Sequence, residues 1–364
     1  MSADSCTSFK VRKDDWSTGQ FDISDIADLQ SGQLLFRVDR FALTANNITY
    51  AAAGDMLNYW GFFPAADGWG RIPAMGFADV VESKHPDVPV GGRYFGFFPM
   101  ATHLVVEPTQ ANPVQFVDGV AHRKDHAPVY RQYQSVDSDA AYDAEFEDQI
   151  MVLRGLFMTS FLADSYMADQ GGFGAKTYVL GSASSKTGIA LAWLLHNQQR
   201  GRVVGVTSTR NHEFVGALGY YDAVLTYDDV KSLPADEATA FIDFSGDGAM
   251  IDTLHHHLGA NLKYHGVIGA THWSAGPQSP NLPGAEPTFF FAPGEIKNRI
   301  EAWGPEGFQQ RMGTAWREFC AATSSWMKIE RGFGTAAVER TYQSVLGGDA
   351  APSVGHVLSL WDRT

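Results

Sequence analysis

Over the first 150 residues, apolar positions come in short runs broken by turn formers. Gln33 to Val38, Ala78 to Glu82, Arg93 to Phe98 and Thr102 to Glu107 read as strands, with Gly54, Gly91-Gly92 and several prolines between them. Near Glu145 the pattern lengthens into a helical stretch to Met167, broken by Gln170-Gly171-Gly172-Phe173-Gly174. Strand Lys176 to Ser182, helix Lys186 to Gln198 and strand Arg202 to Ser208 follow. Strands Ala223 to Tyr227 and Thr239 to Ser245, helix Ala249 to Leu258 and strand Lys263 to Thr271 continue the alternation. Strands separated by helix-length segments predict a doubly wound parallel sheet, because parallel neighbours need a crossover. The fold class expected is α/β: residues 1–150 form a β-rich module and 151–315 a nucleotide-binding-type domain, followed by a tail of residues 316–364. A long loop from His272 to Pro293 carries the apolar strand Thr288 to Ala292. The tail adds helices Phe308 to Ser325 and Thr335 to Leu346 and a last strand, Gly355 to Leu360.

A length of 364 residues suits two domains, and 45% hydrophobic with 13% aromatic residues excludes a disordered chain. The net charge of −14 repels phosphate backbones and anionic membrane surfaces, so neither nucleic acid nor membrane is an expected partner. Two cysteines, Cys6 and Cys320, cannot build a disulfide framework or a thiolate zinc site. Apolar runs such as Ile189 to Leu195 are too short to span a bilayer, and the first residues lack the apolar stretch of a secretion signal. The expected compartment is the cytoplasm.

In an open parallel sheet, ligands sit at the carboxyl ends of the strands, and the first strand-to-helix turn can hold a pyrophosphate. Here that turn is Gly181-Ser182-Ala183-Ser184-Ser185-Lys186-Thr187-Gly188, whose mostly small side chains allow close backbone approach while Gly188 lets helix and strand touch. A P-loop would need glycine where Leu180 and Ser185 stand. An ordinary serine-capped helix start is the plainer alternative. The second strand ends Ser208-Thr209-Arg210, with hydroxyls and a guanidinium suited to a 2′-phosphate instead of an acidic residue, which favours NADP over NAD.

The order of these parts resembles the medium-chain dehydrogenase/reductase superfamily, on its zinc-free, quinone-oxidoreductase-like side. Gly32 to Val38 is similar to an early strand of that family. Leu43-Thr44-Ala45-Asn46-Asn47-Ile48-Thr49-Tyr50 is similar to its active-site approach, and Pro73 to Glu82 followed by Val90-Gly91-Gly92-Arg93-Tyr94 to its V-G-D-R-V region. Met158-Thr159-Ser160, Leu218 to Val224, Ile242 to Gly246 and Gly355 to Leu358 match later family segments in order, and the turn and approach segments also resemble a bacterial branch of the superfamily. The resemblance implies a Rossmann-type coenzyme domain, residues 151–315, beside a GroES-like catalytic and substrate domain, residues 1–150, to which residues 316–364 return. It also implies that Thr159, Tyr227, Ser245, Gly246, Gly269, Ala270 and Thr271 join Ser182, Ser184, Ser185, Lys186, Thr187, Gly188, Ser208, Thr209 and Arg210 around NADPH. Two departures stand out: Ser182 and Ser185 occupy the family's earlier glycine positions, and the cysteine and G-H-E of zinc members are absent, with Gly76-Phe77-Ala78 in place of the latter.

Without a metal, negative charge on an acceptor oxygen must be met by hydrogen-bond donors. Asn46, Asn47 and Tyr50 fall where the resembling family faces the nicotinamide, although Asn-Asn is also a turn and Tyr50 also a core residue. Tyr59, Trp60, His272 and Trp273 would wall an aromatic substrate cavity, if they are not simply core. The expected activity is hydride transfer from NADPH to an activated C=C of a small hydrophobic carbonyl compound. Ketone or aldehyde reduction and a non-catalytic NADPH-binding redox sensor are the alternatives. Tyr227 to Lys231 mimics a short-chain dehydrogenase Y-x-x-x-K but follows the third strand, and His255-His256-His257 on a helix cannot converge on one ion. An apolar strand at Pro287 to Ala292 predicts a sheet edge covered by a second copy, hence a homodimer.

Overall fold

The computed structural model describes residues 5–139, 141–268 and 281–362, and the chain divides into two compact units. One comprises residues 1–152 with 327–364, the other residues 153–326. Among the described residues, no helix is long and apolar enough to cross a membrane.

The first unit is built on antiparallel strands. Its long central strand, Leu34–Leu43, pairs with Pro73–Ser83 on one side and with Val354–Ser359 on the other. Pro73–Ser83 continues to Arg93–Pro99 and then to Gln132–Ser135. Phe36 anchors the interior, with ring centroids 5.5 Å from Phe98 and 5.2 Å from Tyr133. The returning segment supplies two strands, because Lys328–Phe333 lies parallel to Val354–Ser359 and helix Thr335–Leu346 makes the crossover that parallel pairing requires. The hairpin Ser5–Arg12 with Gly19–Asp25 and the strand Lys328–Phe333 were not expected from the pattern; their alternation is diluted by Lys, Arg, Asp and Glu.

One polar cluster holds this unit's strands to the start of helix Glu147–Asp169. Arg93 donates to Asp79 (2.9 Å), Asp39 (2.7 Å) and Glu147 (2.7 Å), while Arg40 and Arg331 both reach Asp148. Burial works against ionisation of Glu147, yet the Arg93 guanidinium holds its carboxyl below the usual range.

The second unit carries six parallel strands in the order Ala223–Thr226, Arg202–Thr207, Thr177–Gly181, Thr239–Asp243, Leu262–Val267, Pro287–Phe289. Val179, Val204, Val206 and Phe241 are buried, as apolar strands covered on both faces must be. The chain winds outward from Thr177–Gly181 in one direction, then crosses it to continue at Thr239–Asp243. The order therefore reverses beside the carboxyl end of Thr177–Gly181, the place where such sheets open a crevice. The edge strand is shorter than expected and lies at Pro287–Phe289, and the following helix begins at Ala292, not Phe308. That helix runs to Thr323 and bends at Gly304 (φ 72°) and Pro305.

The three consecutive histidines diverge. His256 faces Asp252 and His257 the Leu233 carbonyl, while His255 is buried with His265. The Pro283 carbonyl, 2.8 Å from His255 Nδ1, can only accept, so that nitrogen carries its hydrogen and Nε2 accepts from His265 Nδ1 at 2.8 Å. His265 Nε2 is left as a buried lone pair with no partner among the described residues. A proton added to the pair would bring charge and an N–H without an acceptor. Burial accordingly pushes His265 down to about 3 and lowers His255. In the unfolded chain both titrate near the ordinary 6.5. This contribution to stability is therefore intact above pH 6.5 and is lost as pH falls toward 3, at up to about 1.4 kcal/mol per pH unit for each proton gained on unfolding. Urea unfolding at a series of pH values should show a shallower acid decline for His265→Leu than for the wild type; equal slopes would contradict the neutral pair.

Candidate functional site

The turn after Thr177–Gly181 starts with Ser182 at φ 54°, the left-handed region that glycine adopts without strain. A serine there costs about 1 kcal/mol, so this departure from a glycine-rich turn leaves the backbone path in place. Ser185, at φ −68°, is an ordinary N-cap: its Oγ accepts from Gly188 N at 3.1 Å, one of the helix's first N–H groups. Gly188 has no room for a side chain, since a Cβ would lie 2.9 Å from Ser185 Oγ and 3.1 Å from the Ser182 carbonyl.

Neighbouring strand ends complete this crevice. Ser184 Oγ accepts from Asn211 Nδ2 at 3.0 Å and contacts Thr207 Oγ1 at 3.3 Å, joining the turn to the end of the second strand. Tyr227 bonds to Ser182, and burial pushes its phenol up to about 12. On the opposite side, the buried Asp243 carboxylate accepts from Ser245 N (2.8 Å), Ser245 Oγ (2.6 Å) and Gly246 N (3.1 Å), which fixes the fourth strand's exit. Lys186 lies half-buried in the helix's first turn, and desolvation lowers its ammonium to about 8. Ser208 stands at the N-cap position of the next short helical turn without a side-chain capping bond, with Thr209 and Arg210 exposed beyond it. Thr187 is fastened by its carbonyl to Ser160 Oγ (2.8 Å), and the Thr159 hydroxyl is bonded back to Gly155. Asn211, Tyr221 and Gly205 were missed by sequence reasoning. Tyr221 donates to the Ala183 carbonyl at 2.8 Å beneath the turn, and Gly205 leaves space for both residues.

In the first unit, Thr44 caps helix Ala45–Ala52 in a capping box with Asn47. Asn47 is taken up by this role: its Oδ1 accepts from Thr44 N at 2.7 Å and its Nδ2 donates to the Pro73 carbonyl at 2.8 Å. Asn46, one residue earlier, points to the other side and donates to Tyr50 Oη at 2.7 Å. The Tyr50 ring lies 4.6 Å from Tyr59 and edge-on to Phe97 at 5.4 Å. Burial, reinforced by Tyr130, holds the Tyr50 phenol well above its ordinary value, so it remains protonated. Trp60 belongs to the core instead of a cavity wall. Its indole is wedged between Gly54 and Gly70, where a Cβ on either would clash with it. Tyr130 was not singled out from the sequence. It ends the short turn Pro128–Tyr130, and its ring packs 5.4 Å from Phe97 and 5.9 Å from Phe62. Gly269, Ala270, Thr271, His272 and Trp273 lie outside the described residues. Among the described residues, no group of three or more His, Cys, Asp or Glu side chains could hold a metal ion.

Residues 41–351 match a family described as a protein of unknown function (DUF2855), and the chain belongs to that family. No curated protein sequence matches. Among solved structures it is similar to CurA from Vibrio vulnificus in complex with NADPH, with a TM-score of 0.62 and 10% identity over 95% of each chain. A mutant form of enoyl thioester reductase from Candida tropicalis gives 0.58 and 11%, covering 98% of this chain and 99% of that one. The quinone oxidoreductase from Coxiella burnetii gives 0.53 and 12%, covering 97% and 99%. At these identities the likeness concerns the fold, which is that of the medium-chain dehydrogenase/reductase superfamily.

The two asparagines separate in a stability measurement. Asn47→Ala removes the capping box and strands the Pro73 carbonyl, an expected loss of about 2 kcal/mol. Asn46→Ala should leave the thermal midpoint within about a degree or two, since it frees no buried backbone group. Equal midpoints for the two variants would refute the assignment of Asn47 to the scaffold.

Proposed function

We propose that the protein is an NADPH-dependent oxidoreductase that reduces the activated C=C of a hydrophobic enone or quinone. The observation that carries this reading is the small-residue turn at the reversal point of the parallel sheet, with Lys186 in the first helical turn and Arg210 at the next strand's end. The residues present suit a dinucleotide. Gly188 keeps the turn open, the start of a 12-residue helix favours a diphosphate, and a half-buried ammonium at about pH 8 gains from an anion beside it. Arg210 and Thr209 suit the additional 2′-phosphate. The fold's likeness to a protein solved with NADPH agrees with this choice.

Bound NADPH supplies the hydride. Tyr50, oriented by Asn46, donates a hydrogen bond to the substrate oxygen as charge accumulates there, and water or the phenol returns a proton to the α-carbon. Phenol and amide donors are the kind of group that meets an enolate oxygen without zinc. The aromatic surroundings of Tyr50, with Tyr59, Phe62 and Phe97, favour a flat apolar substrate.

The strand Pro287–Phe289 would pair with a second copy, since Phe289 and Phe291 beside it are exposed. Sedimentation at micromolar concentration is expected to give a dimer, and a monomer would remove this part of the reading.

Calorimetry with NADPH tests the coenzyme assignment directly. Arg210→Ala should weaken NADPH by roughly tenfold while leaving NADH unchanged, the loss of one charged phosphate contact. Wild-type affinity should hold below pH 8 and decline above it, because before NADPH binds Lys186 then lacks the proton that the bound phosphate requires. Absence of binding at saturating NADPH would end the assignment. Tight binding with no NADPH oxidation across enones, quinones and ketones would instead favour a redox sensor.

A further inference from the structure

We propose that a cavity at the opening end of the second unit's parallel sheet, between Tyr178 and the Asp164–Arg200 ion pair, binds a small organic monocarboxylate. The cavity holds about 330 Å³, and its walls include Tyr178, Asp164, Arg200, Gly172, Met167 and Leu195, all within residues 153–326. That volume lies at the lower end of the range that takes small organic ligands. The cavity stands apart from the turn assigned to NADPH: Tyr178 is the second residue of strand Thr177–Gly181, whereas that turn follows the strand's last. The inference therefore does not depend on the reductase reading.

Tyr178 is the residue that points to a ligand. It is only 3% exposed, and among the described residues its hydroxyl meets no hydrogen-bond partner. A hydroxyl withdrawn from water in this way costs stability unless something in the cavity answers it. Gly172 is shaped around that hydroxyl, since a Cβ there would collide with Tyr178 Oη. Burial raises the phenol above its ordinary value, so it stays protonated and offers a proton. Arg200 is brought to the same space by the chain reversal after helix Lys186–Asn197. Gln199 takes a left-handed φ of 51°, and Arg200 N then donates to the Leu195 carbonyl at 3.0 Å. The guanidinium donates through Nε and Nη2 to the two Asp164 oxygens at 3.0 and 3.1 Å, which leaves Nη1 with no acceptor among the described residues.

Both unanswered groups are donors, so the matching ligand group is an acceptor. Asp164 already cancels the Arg200 charge. A dianion such as phosphate would meet that carboxylate with a single cation between them, whereas a carboxylate brings one charge that two donors can share. A neutral amide would take weaker bonds from the same donors, because charge-assisted hydrogen bonds are about twice as strong. Met167 and Leu195 suit a short apolar body behind the carboxylate.

The test uses benzoate, titrated into the full-length protein without coenzyme near neutral pH and followed by ligand-observed NMR. Benzamide and phenylphosphonate serve as neutral and dianionic counterparts with the same ring. Wild type is expected to bind benzoate roughly tenfold more tightly than either. Tyr178→Phe should weaken benzoate by roughly tenfold yet leave the thermal midpoint within about a degree or two, because the hydroxyl has no partner in the fold to lose. Ala168→Leu, which adds bulk to the cavity wall and removes no donor, should abolish binding. Absence of benzoate binding, equal affinity for the three probes, or a preference for phenylphosphonate overturns the inference. So does wild-type affinity for benzoate in Tyr178→Phe or in Ala168→Leu. A midpoint lowered by several degrees in Tyr178→Phe assigns the hydroxyl to the scaffold and overturns it too. A protein that binds benzoate in the expected pattern but never NADPH keeps this site and loses the coenzyme assignment alone.

Discussion

A polar group withdrawn from water must find a partner inside the protein, and this requirement sorts the residues of both units into scaffold and chemistry. Asn47 spends its amide on Thr44 and Pro73, Ser185 spends its hydroxyl oxygen on Gly188, and Asp243 is saturated by the Ser245–Gly246 turn. Asn47 and Asp243 have no group left for a ligand. Tyr50 is different: its oxygen is loaded by Asn46 while its proton meets no acceptor among the described residues. The same accounting explains His265, whose idle nitrogen is compatible with burial only while the histidine pair is neutral.

The polar cluster around Arg93 obeys the rule on a larger scale. The five N–H groups of the Arg93 guanidinium engage Asp39, Asp79 and Glu147 at once, and Arg40 and Arg331 add positive charge against Glu147 and Asp148, so each of these carboxylates has a cationic partner where an unpaired one would be costly. Loss of any one partner would leave the others imperfectly compensated. Local rigidity at the start of helix Glu147–Asp169 thus comes from charge matching as much as from apolar packing.

Much of the second unit could be read from sequence, because parallel strands buried on both faces are written as unbroken apolar runs. Val203 to Val206 and Val179-Leu180 are plain in the chain. The hairpin Ser5–Arg12 with Gly19–Asp25 was not, because charged residues occur even at buried positions, as Lys10 does against Asp22. At the candidate site, Asn46 and Tyr50 were legible only through the resemblance to a family segment; the helix that makes them neighbours, four residues apart, was not predicted. The opposite fates of Asn46 and Asn47 were not, since they depend on Thr44 being the cap and on the Pro73 carbonyl arriving from another strand. Trp60 misled for a similar reason: the two glycines that enclose it are 16 residues apart. Tyr130 carries no local signal and becomes meaningful only when the turn bearing it is laid against Phe97. The small-residue turn after Thr177–Gly181 stands out in the sequence, whereas the supports beneath it lie further along the chain, Gly205 in strand Arg202–Thr207 and Tyr221 just before strand Ala223–Thr226.

Tyr130 sits at the end of a three-residue turn opened by Pro128, next to the strand Gln132–Ser135. Its aim is therefore set by the length and stiffness of a connection, not by a regular element. Relatives that lengthen or shorten this connection could re-aim one phenol while keeping helix Ala45–Ala52 and every strand intact. Change in the direction of that side chain would then be concentrated in a few residues of irregular chain, with the surrounding framework left under separate selection.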